Sequence, residues 1–166
     1  MLNKLKKQNS EGFTIIEVMI VLVIAGVIIL IVLMAIPAMQ RNSRNTAIKN
    51  DASAVVAAIS EFKSNNDGTA PNKTGTLSSG STVTIDGATG STASSGKVQG
   101  DTKVTGTADA PDSEVPTGTV TVLYGYKCVG SGYSGSSSVT VNGRSVAVIY
   151  SVEQSGGAKA GKCIDS

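Results

Sequence analysis

The sequence predicts an α+β chain in which one long N-terminal helix, membrane-spanning in its first half and amphipathic in its second, packs on a small antiparallel β-sheet head. Three observations predict it. Residues Val18 to Gln40 form a run of 23 without a charge. Ile48, Ala52, Val55, Ile59 and Phe62 then repeat at spacings of 4, 3, 4 and 3. Alternating apolar residues finally crowd the last third of the chain, from Val120 onward.

At about 1.5 Å per helical residue, the charge-free run is long enough to cross a hydrocarbon core of about 30 Å. Many of its residues are β-branched, which alone would suggest a strand. Length decides for a helix, because a strand this long without interruption is outside the ordinary range. The segment before it carries Lys4, Lys6 and Lys7 against one acid, Glu11. The positive-inside rule therefore leaves the N-terminus in the cytoplasm and the C-terminal bulk on the other side of the membrane. No Ala-x-Ala cleavage site follows the apolar run, as it would in an ordinary secretory signal; instead a small residue, Gly12, precedes it.

Beyond Pro37 the apolar stripe from Ile48 to Phe62 has Arg41, Arg44, Asn45, Lys49 and Lys63 largely off its face, the pattern of an amphipathic helix. Asn65-Asn66-Asp67-Gly68 supplies its stop. From Ser64 to Thr119, 40 of 56 residues are Gly, Ser, Thr, Asn, Asp or Pro, which predicts surface loop with short paired segments such as Thr82 to Ile85. Val120, Val122, Tyr124, Tyr126 and Cys128 alternate along one strand, and Asn142-Gly143 reads as a two-residue hairpin turn. In that register Val139, Val141, Val146, Val148, Tyr150 and Val152 share one face. Three or four antiparallel strands on the helix give the head. Cys128 and Cys163 both lie on the outward side, where a disulfide is the default and two free thiols the alternative.

Composition excludes much chemistry. The 166 residues include no histidine and no tryptophan, so there is no Ser-His-Asp triad, Cys-His dyad or His-ligated metal. A formal charge of +2 is too mild for a nucleic-acid footprint. Gly130-Ser131-Gly132-Tyr133-Ser134-Gly135 matches a dinucleotide pattern, but another strand follows where a helix is required. Gly156 to Cys163 approaches a phosphate loop, yet the hydroxyl that binds magnesium is missing. Asp109, Asp112 and Glu114 lack the ligand order of a known calcium loop. The expectation is a structural protein, not an enzyme, with no cofactor and no metal.

The string Glu11-Gly12-Phe13-Thr14-Ile15-Ile16-Glu17-Val18-Met19 resembles the prepilin signal of type IV pilins, a class III signal peptide with an N-terminal methylation motif. The resemblance is specific over residues 4–38 and architectural beyond them, where it implies a pilin-like lollipop. It implies cleavage after Gly12 by a membrane peptidase and methylation of Phe13. Gly26 falls where the family usually has a glycine, and Gly26 and Pro37 are the positions expected for a helix kink. Pro37 stands three residues later than the commonest family spacing. Cleavage would remove three lysines and one glutamate, leaving 11 basic and 11 acidic side chains.

Glu17 is the assembly residue that the resemblance implies. A carboxylate in an apolar stem costs several kcal/mol in lipid if it stays charged and unpaired. Its partner would be the amine of Phe13, which the family pairing places between subunits; the alternative is that Glu17 snorkels to the headgroups. The implied organisation is a leader (1–12), a transmembrane and filament-core helix (13–39), its amphipathic half (40–65), a Ser/Thr/Gly-rich variable region (66–119) and a disulfide-bounded sheet region (120–166). The implied function is that of a type IV pilus subunit for adhesion, motility or DNA uptake. A secretion-system pseudopilin and a non-polymerising signal-anchored surface protein are the alternatives. Partners would be other copies of the chain and minor pilins, the prepilin peptidase and methylase, the assembly platform with its ATPase motor, and the membrane. Nucleic acid is a partner that no sequence feature supports. The precursor would sit in the inner (cytoplasmic) membrane with its N-terminus in the cytoplasm, and the product in an extracellular filament.

Overall fold

A computed structural model describes residues 12–74, 82–87, 90–99 and 102–166, with only the backbone at 73–74. The basic leader through Glu11 and parts of the Ser/Thr-rich region lie outside them. The chain divides into two compact units, Met1–Met39 and Gln40–Ser166. One helix, α1 (Ile15–Asn65), contributes to both and is helical at every residue, Gly26 and Pro37 included. It is the helix among the described residues that is long and apolar enough to cross a membrane. Its large apolar side chains from Ile15 through Met39 are exposed, as a segment made for lipid or for other helices would be.

In the second unit α1 buries one stripe. Ala52, Val55, Ile59 and Phe62 are at or near zero exposure, with Ile48 and Ala58 beside them. The helix stops where Gly68 N donates to Lys63 O at 2.7 Å, with Asp67 and Gly68 at positive φ. Among the described residues eight strands follow: β1 (Lys73–Thr74), β2 (Thr82–Asp86), β3 (Ser94–Lys97), β4 (Lys103–Thr107), β5 (Thr119–Cys128), β6 (Gly132–Tyr133), β7 (Val139–Glu153) and β8 (Lys159–Asp165). They form an antiparallel three-stranded sheet, β1-β2-β3, and a five-stranded sheet in the order β4-β5-β7-β8-β6. The architecture is α+β as expected, with more strands than the single small sheet foreseen. The second sheet is mixed, because β4 pairs parallel to β5.

That parallel pair has a topological reason. Parallel neighbours need a crossover, and here residues 108–118 make it across the face of the sheet away from α1. Val115 and Ala110 of this crossover join Leu123, Tyr133, Ala147, Ile149 and Cys163 in a second core. The first core lies between α1 and the other face, where Val120, Val122, Val146, Val148 and Tyr150 meet Val83, Ile85 and the helix stripe. A strand covered on both faces reads as a continuous apolar run, and Val120 to Leu123 are all buried.

The expected hairpin at Asn142-Gly143 does not form. Val139–Glu153 is one strand, antiparallel to β5, and neither Asn142 nor Gly143 has the positive φ that a two-residue hairpin turn demands. The positive φ sits on the other strand, at Gly125 (φ 76°). The register jumps there from Tyr124 opposite Val146 to Tyr126 opposite Val141, so residues 142–145 bulge out against a single glycine. The alternation shifts with it. Val120, Val122 and Tyr124 face α1, whereas Tyr126 and Cys128 join the second core. Val139 likewise joins the second core and Val141 is 80% exposed, so neither shares the face of Val146, Val148 and Tyr150.

Within the nominal loop region, β3 presses on the helix. A Cβ at Gly96 would lie 2.8 Å from Ala54 O, and Ser94 Oγ donates to Ala58 O at 2.5 Å. Phe62 is the largest side chain fully buried in the first core. Phe62→Ala should destabilise the second unit by about 3–5 kcal/mol, read as a lower denaturation midpoint with the disulfide intact.

Candidate assembly and processing site

The described part of the first unit opens on Gly12, exposed ahead of α1, with nothing within 4 Å of where a Cβ would stand. Phe13 follows at 82% exposure. The scissile bond expected between them is thus sterically open. Thr14 caps the helix: Glu17 N donates to Thr14 O at 3.1 Å and to Thr14 Oγ1 at 3.4 Å, while the Thr14 hydroxyl makes a long 3.5 Å contact to Glu17 Oε2. Thr14-x-x-Glu17 is a capping-box spacing, a signal present in the sequence that the reading of Glu17 as an assembly residue passed over. The carboxylate at the third helical position also complements the positive end of the helix dipole. Glu17 is exposed on the apolar stem, close in sequence to the site where a new amine would arise. Gly26 and Pro37 both lie within α1, and Gly26 likewise has open space around its Cα.

The far end of the second unit holds the cysteines. Cys128 at the end of β5 and Cys163 in β8 are joined, with Cα atoms 5.9 Å apart. Cys128 N donates to Asp165 Oδ1 at 2.6 Å, and Cys163 N to Ser131 O at 3.1 Å. The crossover is strapped to the same region. Tyr133 Oη donates to Pro111 O at 2.5 Å, Gly161 N to Glu114 Oε1 at 3.3 Å and Ser151 Oγ to Val115 O at 2.6 Å. Burial, with the nearby Asp112 charge, holds the Tyr133 hydroxyl above its usual pKa. Glu114 is therefore engaged with backbone, and among the described residues no group of three His, Cys, Asp or Glu side chains is arranged to hold a metal.

A third arrangement was missed in the sequence. Arg44 donates through Nε and Nη2 to the two carboxylate oxygens of Glu153, at 3.1 and 2.7 Å. Asn45 brackets the same residue, giving a hydrogen to Glu153 O and accepting one from Glu153 N, both at 2.8 Å. This clamp ties the first turns of the helix in this unit to the end of β7. Asp51 is also buried on the helix stripe, accepting from Gln99 N at 2.9 Å and from the Thr102 hydroxyl. It was legible in principle, since Asp51, Val55, Ala58 and Phe62 repeat at helical spacing. The Arg44 clamp was not, because its partner lies 109 residues away.

Two outcomes follow from this geometry. Hydrogen bonding to Arg44, with its charge and those of Arg41 and Lys159, holds the Glu153 carboxyl below the usual glutamate range. The clamp's contribution is then present above the unfolded pKa of about 4.5 and lost as pH falls through the lowered folded value. Acid unfolding of Glu153→Gln should accordingly show a weaker pH dependence than the parent below about pH 4.5, with the difference shrinking in high salt. Separately, Cys163→Ser should leave residues 159–166 open to proteolysis and lower stability by about 3–4 kcal/mol, read by limited digestion and denaturation.

Residues 7–33 match the family described as the prokaryotic N-terminal methylation motif. No curated protein and no solved structure matches the chain. The match covers part of the leader and most of the apolar stem and includes Gly12, Phe13, Glu17 and Gly26, while the second unit lies outside it. The motif belongs to a structural family, and it fits a precursor anchored in the membrane by its N-terminal helix. Residues 7–33 therefore carry the class III signal peptide of type IV pilins, a motif that indicates a type IV pilin-like or pseudopilin protein.

Proposed function

We propose that the chain is a structural subunit of a type IV pilus. A membrane peptidase cuts it after Gly12, Phe13 becomes the methylated N-terminus, and the apolar stems of many copies bundle into the core of an extracellular filament. The observation that carries this reading is the methylation motif at the mouth of an exposed apolar helix whose continuation is buried on a β-sheet head. Copies of the chain, minor pilins, the prepilin peptidase and methylase, and an assembly platform with its motor are the partners this function requires. Gly26 and Pro37 are the sites at which the stem bends or loosens on packing into the filament, since glycine and proline weaken a helix interior.

Glu17 acts as the register signal. Apolar helix faces slide past one another at little cost because lipid tails compete with each Val and Ile contact, whereas an unpaired carboxylate penalises a wrong register by several kcal/mol. Its partner is the amine of Phe13 on a neighbouring subunit. In the membrane precursor the Thr14 cap holds the carboxylate near the helix start.

Surface shearing, electron microscopy and N-terminal analysis of the sheared material test this. Filaments whose subunit begins at methylated Phe13 are expected. Glu17→Val should insert and fold normally yet strongly reduce filament number at equal expression. A subunit retaining Met1, or normal piliation by Glu17→Val, would overturn the respective step.

A further inference from the structure

The charge-free stem ends at Gln40, and the next charges are all positive: Arg41, Arg44 and Lys49 precede the first acid, Asp51. The fold adds a fourth cation. Glu153 pairs across the β7–β8 ladder with Lys159, and the charges of Arg44, Arg41 and Lys159 all act on its carboxylate. Arg44 occupies both carboxylate oxygens of Glu153. The clamp is thereby neutralised, with Arg41 half-buried and Lys159 exposed beside it. Next to the clamp a hollow of about 310 Å3 opens between α1 and the sheet, lined by the polar residues Ser43, Asn45, Gln99 and Thr117 and by the apolar Ala47 and Ile48. The nearby Asp51 carboxylate is already taken by Gln99 N and the Thr102 hydroxyl.

We infer that Arg41 and Lys159, set around the Arg44–Glu153 clamp, form a binding site for the phosphate of an anionic phospholipid headgroup at the outer face of the membrane. The physical case rests on level and chemistry. A helix whose apolar run has the length of a hydrocarbon core brings the residues just after it to the headgroups, where Arg and Lys side chains meet lipid phosphates. Each such cation near an anionic surface strengthens attachment. Guanidinium suits phosphate oxygens in particular, since its donors are forked and weakly hydrated. The Ser43 and Thr117 hydroxyls and the Gln99 side-chain amide, which the hydrogen bonds of Asp51 and Glu153 leave over in the hollow, suit the polar glycerol of a headgroup, which offers both donors and acceptors. The site would hold the second unit against the bilayer while the precursor waits for assembly, and must release its lipid as the subunit leaves. The inference rests on the reading of the stem as membrane-spanning.

The test uses the full chain, reconstituted in nanodiscs of phosphatidylglycerol or of phosphatidylcholine and then examined by native mass spectrometry for retained lipid. Retention of phosphatidylglycerol over phosphatidylcholine is expected. The double variant Arg41→Gln/Lys159→Gln should lower that retention by about tenfold or more, while Lys97→Gln, on β3, leaves it unchanged. Both variants keep the Arg44–Glu153 clamp, and an unaltered melting profile checks that they fold. Equal retention in the double variant and the parent would overturn the inference. So would competition by millimolar inorganic phosphate alone, which would make the ligand a soluble anion, or lost piliation with unchanged lipid retention, which would assign the cations to contacts between subunits. A chain that fails to enter the nanodisc at all would instead defeat the membrane-spanning reading, and the inference with it.

Discussion

The second unit depends on one stripe of α1. Ile48, Ala52, Val55, Ile59 and Phe62 lie along a single helical face, and the strands that contact the first core are arranged to cover it. An amphipathic helix of this kind gains most of its stability from tertiary burial and little from intrinsic propensity. The sheets turn one apolar face to the same core, and that face would be open to water without the helix. Helix and sheets therefore stabilise each other. The small residues Ala54, Ala58 and Gly96 set how closely they approach, since a side chain at Gly96 would collide with the helix backbone.

A five-stranded sheet that packs on a helix with one face must still cover the other. The crossover from β4 to β5 does this with a loop, not a helix, which explains its polar straps. Loops carry backbone groups that cannot be buried unpaired. Pro111 O and Val115 O are both taken by side-chain hydroxyls from the strands beneath. The disulfide fixes the strand ends on which those straps depend.

Much of the fold was legible because its signals are local. The helix stripe from Ile48 to Phe62, the Asn-Asn-Asp-Gly stop and the apolar faces around Val120 and Val146 all follow from side-chain periodicity, and each element appears where its pattern predicts. The phase of β7 was misread because Asn142-Gly143 is a strong turn signal in isolation. Gly125, within the neighbouring strand, was the weaker and more accurate clue: an isolated glycine in a strand often marks a bulge. Tertiary pairing decided between them. Keeping β7 continuous lets Val146, Val148 and Tyr150 stand opposite Tyr124, Val122 and Val120 over the helix. In the Ser/Thr-rich region the segment expected to pair, Thr82 to Ile85, is β2, whereas β1, β3 and β4 were concealed because their residues have little hydrophobicity to advertise a strand. At the candidate site, the short motif that contains Gly12, Phe13 and Glu17 was legible locally, and residues 7–33 match the methylation-motif family. The clamp at Arg44 was not, since no local rule links a residue to one 109 positions later.

That long separation has a consequence for how the chain is made. The helix stripe emerges early in synthesis, yet its cover from β5 and β7 is complete only once residue 150 has been made. Loop-closure entropy must be overcome before such distant contacts can contribute, so closure is a late and slow event. Until then an apolar stripe and unpaired strand edges stand open, and neighbouring unfinished chains can join one another through them. A topology that defers its core to the last third of the sequence thus leaves an interval between synthesis and closure, the time when the chain most needs protection from its neighbours.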